Sequence, residues 1–360
     1  MVESIEIDFL PVGEGEHSGD AIAIRWREDG QFKVMIYDGG TQAYGAQLVK
    51  HVQEHFQTSY VDYVVNSHPD NDHAGGLLHV LTTLTVGELW MHRPWEYSDL
   101  IRDYFHDRRM TDESLAKRLK QKMSAAYALE QAALERGVTI REPFSGDQIG
   151  IFTVLSPGRY RYVHNLIPAF QKSPELKENQ STAAAALDAV KGVASYVAAR
   201  WGFEYLPESV KTSAENESSV ILFASIGKNG YLLTGDAGIE SLRAAATFAS
   251  ERGIDLPTRV TFAQIPHHGG RHNVSTETLN MLVGNPLEAR PEDPVRRAFV
   301  SAAALAPRHP KKAVTNAFVS RGFKVVKTKG KHIVHRSPGA PEREGWGPAT
   351  YEPFYEEVEE

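Results

Sequence analysis

Four side chains able to bind a metal ion stand within six residues of one another. They are His68, Asp70, Asp72 and His73, in the stretch Ser67-His68-Pro69-Asp70-Asn71-Asp72-His73-Ala74-Gly75-Gly76. Imidazole suits zinc, copper, iron and nickel, whereas carboxylate favours harder ions such as manganese and magnesium. A mixed set of this kind is what a divalent-metal hydrolase needs. The alternative is a polar loop in which Asp72 caps the next helix, but a cap needs one acceptor rather than four ligands. The flanks place the loop. Val61 to Val65 is an apolar run with strand character, and Leu77, Leu78, Val80 and Leu81 follow at helical spacing. The cluster therefore lies on a strand-to-helix turn, where side chains of a short loop converge on one point.

The chain has 360 residues, a formal net charge of −7 and no cysteine. That length suits one large domain or two small ones, and the hydrophobic and charged fractions are ordinary for a soluble globular protein. The net charge argues against a general polyanion binder. Without cysteine there are no disulfides, no thiolate metal sites and no cysteine nucleophile, so any metal must be held by His, Asp and Glu. Met1 to Asp8 is acidic and alternating, unlike a signal peptide. No apolar run reaches the roughly 18 residues of a membrane span. A cytoplasmic protein without membrane partners is expected.

The segment His68-x-Asp70-x-Asp72-His73-x-Gly75-Gly76 resembles the metal-binding loop of the metallo-β-lactamase superfamily. That family usually has His at the second ligand position, where this chain has Asp70. The Asp variant, within SHPDNDHAGG, is similar to the soluble hydrolase domain of ComEC-type DNA-uptake proteins, as is NESSVIL at Asn216 to Leu222. A ComEC-type protein has a membrane channel attached. None is seen in this chain, so DNA import by itself is not expected. The resemblance implies an α/β fold, the αββα sandwich of that superfamily, with metals at one edge and the chain as a single domain over 1–360. It also implies roles. Asp38, ending a strand before Gly39-Gly40, would orient the metal loop. Asp236, in LLTGDAG, would bridge two metals, and His267, in Pro266-His267-His268-Gly269-Gly270, would be the last ligand.

The remaining chain supplies the frame. The alternating Ile5, Ile7 and Phe9, then Ala21 to Trp26 and Lys33 to Tyr37, read as an antiparallel start. Gln42 to Gln57 reads as a helix. Residues 97–137 form a long helical segment that must break or fold into two helices. Residues 159–215 fit the family poorly and read as a helical insertion, Ala-rich and helical over Ser181 to Arg200. It could be a lid, a protein-partner or homo-oligomer contact, or a wall that selects substrate. Ser219 to Ile226 and Tyr231 to Thr234 form a hairpin through Gly227-Lys228-Asn229-Gly230. Residues 341–360 read as an acidic tail, disordered or loosely packed. From Ser301 to Ala340 there are basic residues but no Asp or Glu. Arg308, Lys311, Lys312, Arg321, Lys324, Lys327, Lys329, Lys331 and Arg336 form either a phosphate-facing patch or a solvated face balanced by the tail.

The expected cofactor is a pair of divalent ions, zinc or manganese. Asp72, His73, His267 and Asp236 would hold one ion well. His68, Asp70 and Asp236 would hold the other, for which the family normally supplies a further His. His164 is the sole histidine between His106 and His267, and its context does not match. Two metals about 3.5–4 Å apart clamp an in-line displacement and make hydroxide available near neutral pH. Phosphodiesters need such neutralisation. The expected activity is therefore a metal-dependent phosphodiesterase or nuclease acting on nucleic acid or a small phosphodiester through a metal-bound hydroxide. Asp72, His268 and His309 are its catalytic candidates, and His272, Arg308 and Lys312 its substrate contacts. An ester, thioester or lactam hydrolase would use the same metals with an apolar pocket. A metal-stabilised interaction subunit with little activity is the non-enzymatic alternative.

Overall fold

Along Val2–Phe9 (β1), Ile5, Ile7 and Phe9 alternate with Ser4, Glu6 and Asp8. A strand sends successive side chains to opposite faces, so the apolar three share one face. Ala21–Glu28 (β2) continues the pattern antiparallel to β1, and Gln31–Gly39 (β3) antiparallel to β2. Tyr60–Val65 (β4), Thr85–Trp90 (β5) and Thr139–Arg141 (β6) then pair in parallel, as expected for strands joined by helical crossovers. The structure, a computed structural model, describes residues 1–15, 17–174, 196–307 and 309–359.

A second sheet repeats the plan. Gln148–Ile149 (β7), Phe152–Ser156 (β8), Ile221–Ile226 (β10) and Asn229–Leu233 (β11) are antiparallel neighbours. Val260–Gln264 (β12), Arg296–Val300 (β13) and Phe323–Lys327 (β14) extend it in parallel. Ile333–Arg336 (β15) returns to pair with β1 and closes a first sheet of order β15-β1-β2-β3-β4-β5-β6 against a second of order β14-β13-β12-β11-β10-β8-β7. Ile5, Ile7, Phe9, Ile24, Trp26 and Tyr37 of the first sheet meet Phe152, Leu222, Tyr231, Phe262 and Phe299 of the second. Each fully buried side chain of this size contributes about 1.5–3 kcal/mol. Separate apolar clusters lie under the helices on the outer faces, giving the expected αββα sandwich.

The parallel strands decide where chemistry can gather. Asp38 ends β3, His68 follows β4, Asp236 follows β11 and His267 follows β12. All lie at the carboxyl ends of parallel strands, the place where open α/β sheets present ligand sites. Glycine makes the approach close. A Cβ on Gly76 would lie 2.0 Å from the Gly39 carbonyl oxygen, so only glycine lets the ligand loop press against the end of β3.

The long helical segment breaks at Met123, between Asp112–Lys122 and Ser124–Glu135. Two expectations are corrected. The acidic tail is not loose: Glu357–Glu359 (β16) pairs antiparallel with Tyr196–Ala198 (β9), with Val358 buried beneath. The same pairing makes Tyr196 to Ala198 a strand where a helix was expected. The helical expectation for Ser181 to Ser195 lies outside the described residues, as does that for Arg308. Nor is the basic segment one phosphate-facing surface. Arg321 is buried, paired with Glu204 and donating to Asn280 Oδ1 at 2.6 Å. Lys324 pairs with Asp293 and Lys327 with Glu352. Lys312 lies over the rings of Tyr196 and Tyr355, 5.4 and 5.3 Å from their centroids. A buried guanidinium must be paired to offset desolvation, which is why charge counted along the chain overstated the free positive surface. Among the described residues, no helix is long and apolar enough to cross a membrane.

His335 on β15 stands among the rings of Phe262, Tyr231 and Phe299, 4.7, 5.7 and 6.4 Å away. Burial, assisted by the nearby Arg297, pushes its pKa down to about 4. The unfolded chain then binds the extra proton between its ordinary value and about 4, so stability is full above that window and is lost as pH falls through it. A shift of that size amounts to about 2 kcal/mol between pH 7 and pH 5. Urea unfolding of His335→Phe should show a pH dependence flatter than wild type by about that amount. Identical slopes in the two proteins would contradict the buried, neutral ring.

Candidate metal centre

Asp38 sits at the end of β3 with φ +60°, a left-handed conformation rare outside glycine. Its carboxylate accepts three hydrogen bonds: from Ser67 N at 2.7 Å, from Ser67 Oγ at 2.6 Å and from His73 Nδ1 at 2.8 Å. These bonds fix two tautomers. His73 gives its Nδ1 proton to Asp38, leaving Nε2 with a free lone pair. Ser67 spends its hydroxyl proton on Asp38, so at 3.0 Å its oxygen accepts from His68 Nδ1, and His68 Nε2 is also left free. One buried carboxylate thus aims two imidazoles, the kind of support that metal-ligating histidines require.

Asp236 lies where these lone pairs point. Its Oδ2 is 3.3 Å from His73 Nε2, 4.0 Å from His68 Nε2, 3.6 Å from His267 Nε2 and 3.9 Å from His268 Nε2. Four ligand groups emerge among the described residues with their atoms within 4.8 Å of one another: His68, His73 and Asp236; Asp72, His73 and His268; Asp20, Asp236 and His268; and Asp20, Asp38 and His73. His267 is aimed by Asn273, whose Oδ1 is 2.7 Å from His267 Nδ1 and whose amide donates to the Asp236 carbonyl at 3.0 Å. His267 is half-exposed and His268 is buried, and both, rather than His267 alone, face the Asp236 carboxylate. Asp70 lies 3.6 Å from His68 and is paired with Lys172.

His309 comes in from the other side. Gly269 packs so tightly on Pro310 that an added Cβ would lie 2.4 Å from Pro310 Cβ, and Lys311 N donates to the Gly269 carbonyl at 3.0 Å. Burial, then His268, His267 and Lys311, pushes His309 down to about 4, so it is neutral at pH 7. His272 is on the exposed side of the same loop. Lys312 is engaged by two tyrosines, and Arg308 lies outside the described residues. His92 is a packing residue, stacked on Tyr162 at 4.1 Å.

Three residues of this centre were not singled out from sequence. Asp20 is buried, receives Gln264 Nε2 at 2.9 Å and is raised by burial. Gln264 also accepts from Thr234 N and Gly235 N, tying the Asp236 loop to Asp20. The available signal for Asp20 was a lone carboxylate entering the apolar strand Ala21 to Ile24 with no turn between. Lys172 had no local signal. Burial opposes ionisation of Asp236, but His73, His267 and His268 hold it well below the carboxylate range. For His73, burial works against protonation, while Asp236 and Asp38 raise its pKa well above the ordinary value.

The donor set fits a divalent cation. His68 Nε2, His73 Nε2, Asp236 Oδ1 and both ring nitrogens of His268 are buried with no hydrogen-bond partner. Unsatisfied buried groups cost about 1–3 kcal/mol each, and together these would approach the whole stability of a domain, about 5–15 kcal/mol. A cation that accepts the lone pairs of His68 Nε2, His73 Nε2, Asp236 Oδ1 and one His268 nitrogen removes most of that cost, the other His268 nitrogen keeping its proton. Nitrogen and oxygen donors are compatible with zinc or manganese.

Loss of the orienting carboxylate should be felt at the metal. Asp38→Ala should weaken zinc or manganese binding by about 10–100-fold in calorimetric titration, with the far-UV circular dichroism retained. Unchanged affinity in a folded variant would show that Asp38 does not position the ligands.

No curated protein matches the sequence. Among solved structures, the chain is similar to the metallo-beta-lactamase fold protein YhfI from Bacillus subtilis, at 9% identity and TM-score 0.40 over 93% of this chain and 100% of that one. It is also similar to a metallo beta lactamase from Hirschia baltica, at 13% identity and TM-score 0.30 over 70% and 85%. The family model of the metallo-beta-lactamase superfamily matches residues 15–124, so this part of the chain, with its ligand loop, carries the signature of that superfamily's domain.

Proposed function

We propose that this protein is a metal-dependent phosphodiesterase, with nucleic acid or a small phosphodiester as substrate and a site of the ComEC-like kind. The observation that carries the hydrolase reading is the set of unpartnered imidazole and carboxylate atoms around Asp236. A divalent ion held there, zinc or manganese, supplies Lewis acidity and makes hydroxide available near neutral pH. The protein's own part is orientation and charge. Asp38 and Ser67 aim His68 and His73, Asn273 aims His267, and Gln264 locks Asp20 beside the Asp236 loop. Such preorganisation places charge where the transition state needs it without later rearrangement.

The choice of a phosphodiester rests on the ionic character of the site mouth. His309, Lys172 and Lys311 bring nitrogen donors to the entrance, and Asp70 replaces an imidazole with a carboxylate. That surrounding suits an anionic substrate held through cations and N–H donors, better than the mostly apolar pocket a neutral ester or lactam would use. The support comes from these local groups and the sequence motifs, since much of the C-terminal basic segment is paired within the fold.

Protein stripped of metal and reloaded with manganese or zinc should hydrolyse a chromogenic phosphodiester, and Asp72→Ala should abolish turnover. His309→Ala should lower turnover at least about 10-fold, in the lower range for a positioned donor or acceptor, while retaining bound metal. Metal-loaded protein that turns over carboxylic esters or lactams but no phosphodiester would overturn the substrate class.

A further inference from the structure

Lys172 is a cationic group at this centre that belongs to no ligand motif. It follows the short helical turn Ile167–Ala169, in a bend closed by Ser173 N donating to Phe170 O at 2.9 Å and Ser173 Oγ donating to Ile167 O at 2.7 Å. Its backbone N–H donates to Glu215 Oε1 at 3.3 Å, and Glu215 is buried. The segment is thereby fixed to the wall beside NESSVIL. From it the side chain reaches across to the ligand loop, where Nζ pairs with Asp70 Oδ1. Asp70 Oδ2 is 3.6 Å from His68 Nε2. Lys172 and Asp70 are 29% and 31% exposed, which puts the pair at the mouth of the site with one side open to an incoming molecule.

Ligand arithmetic gives this contact its meaning. His73 has given Nδ1 to Asp38, so it has one lone pair and serves one ion. If that ion takes Asp72, His73, an imidazole of the His267-His268 pair and one oxygen of Asp236, its shell is well furnished. On the His68 side, what remains for a second ion is His68 Nε2, the other oxygen of Asp236 and Asp70; among the described residues His68 shares no ligand group with Asp20, His267 or His268. Asp70 is already neutralised by an ammonium. Two uncontested donors fall short of the three protein ligands of a catalytic zinc site and the four of a structural one.

We propose that Lys172 stands in for a second divalent ion: the centre binds one metal tightly, and the Lys172 ammonium is its cationic counterpart on the His68–Asp70 side, placed to receive an anionic oxygen of the substrate. This rests on the metallo-hydrolase reading above. An ammonium offers three N–H donors and a compact positive charge on a flexible stem, but no open coordination position. It can therefore pair with a phosphate oxygen while leaving activation of water to the single metal.

Metal content reads this directly and needs no substrate. Purified protein incubated with excess manganese or zinc and passed through a desalting column should retain one ion per chain by mass spectrometry. Lys172→Gln, which frees Asp70, should retain close to two. Lys172→Arg, which keeps the charge, should remain at one. Two tightly held ions in the wild type, or one in Lys172→Gln with its circular dichroism intact, would overturn the proposal. A protein inactive on phosphodiesters would still give these counts, so failure of the substrate reading and failure of this one are distinguishable.

Discussion

The carboxylate of Asp38 is the constraint on which the centre depends. It is fully buried and so does not face a substrate. It spends its oxygens on Ser67 and His73, and through Ser67 it reaches His68. The positive φ of Asp38 turns the chain at the end of β3, and the Gly39–Gly76 approach brings the ligand loop within reach. Backbone strain of this kind persists only where the surroundings over-determine it. Three accepted hydrogen bonds and two packed glycines provide that. Cavities and charges elsewhere could change with less effect on the imidazoles.

The sandwich exists to bring loops from distant parts of the chain to one edge. Asp38 and His68 arrive from the first sheet, and Asp236, His267 and His268 from the second. The aromatic seam between the sheets fixes their distance, because packed interiors do not deform continuously. The helix-side network adds to this rigidity. Glu6 accepts from Arg25 Nε at 2.8 Å, and Asp8 accepts from His51 at 2.7 Å and forms an ion pair with Arg343, 2.6 Å from its Nη1. Charges buried under the helices are thus paired by residues that also tie the C-terminal segment to β1.

Much of this was legible in the sequence because ligands come in short runs. His68 to His73 announces itself by density, whereas Asp236 and His267 were read from the resemblance of LLTGDAG and Pro266-His267-His268-Gly269-Gly270 to the metallo-β-lactamase pattern. The strands were legible from period-two apolar patterns, and the break near Met123 from the excessive length of one helical segment. What stayed hidden involves contacts that no spacing encodes. Lys172 meets Asp70 across 102 positions. Asp20 is one carboxylate before a strand, with no repeat to mark it. The tail was misread because charge density outweighed the alternation Glu357-Val358-Glu359, which is itself a strand pattern once a partner is present. For the basic run from Arg308 to Arg336 the sequence left two readings open, a phosphate-facing patch or a face balanced by the tail, and could not choose between them. The charges of that run share a segment, but Glu204, Asp293 and Glu352 reach them only in the folded chain.

The charge balance of the centre follows from its residues. Asp20, Asp38, Asp70, Asp72 and Asp236 bring more negative charge than the histidines offset while neutral, so a cation is favoured on electrostatic grounds alone. The direct test of the account is a crystal structure of zinc- or manganese-loaded protein with anomalous data collected at the metal edge. The account predicts its strongest peak beside Asp236, within bonding distance of His73 Nε2 and Asp72, with Asp38 still hydrogen-bonded to His73 Nδ1. A principal peak away from Asp236, or a His73 ring turned so that Nδ1 no longer meets Asp38, would contradict it.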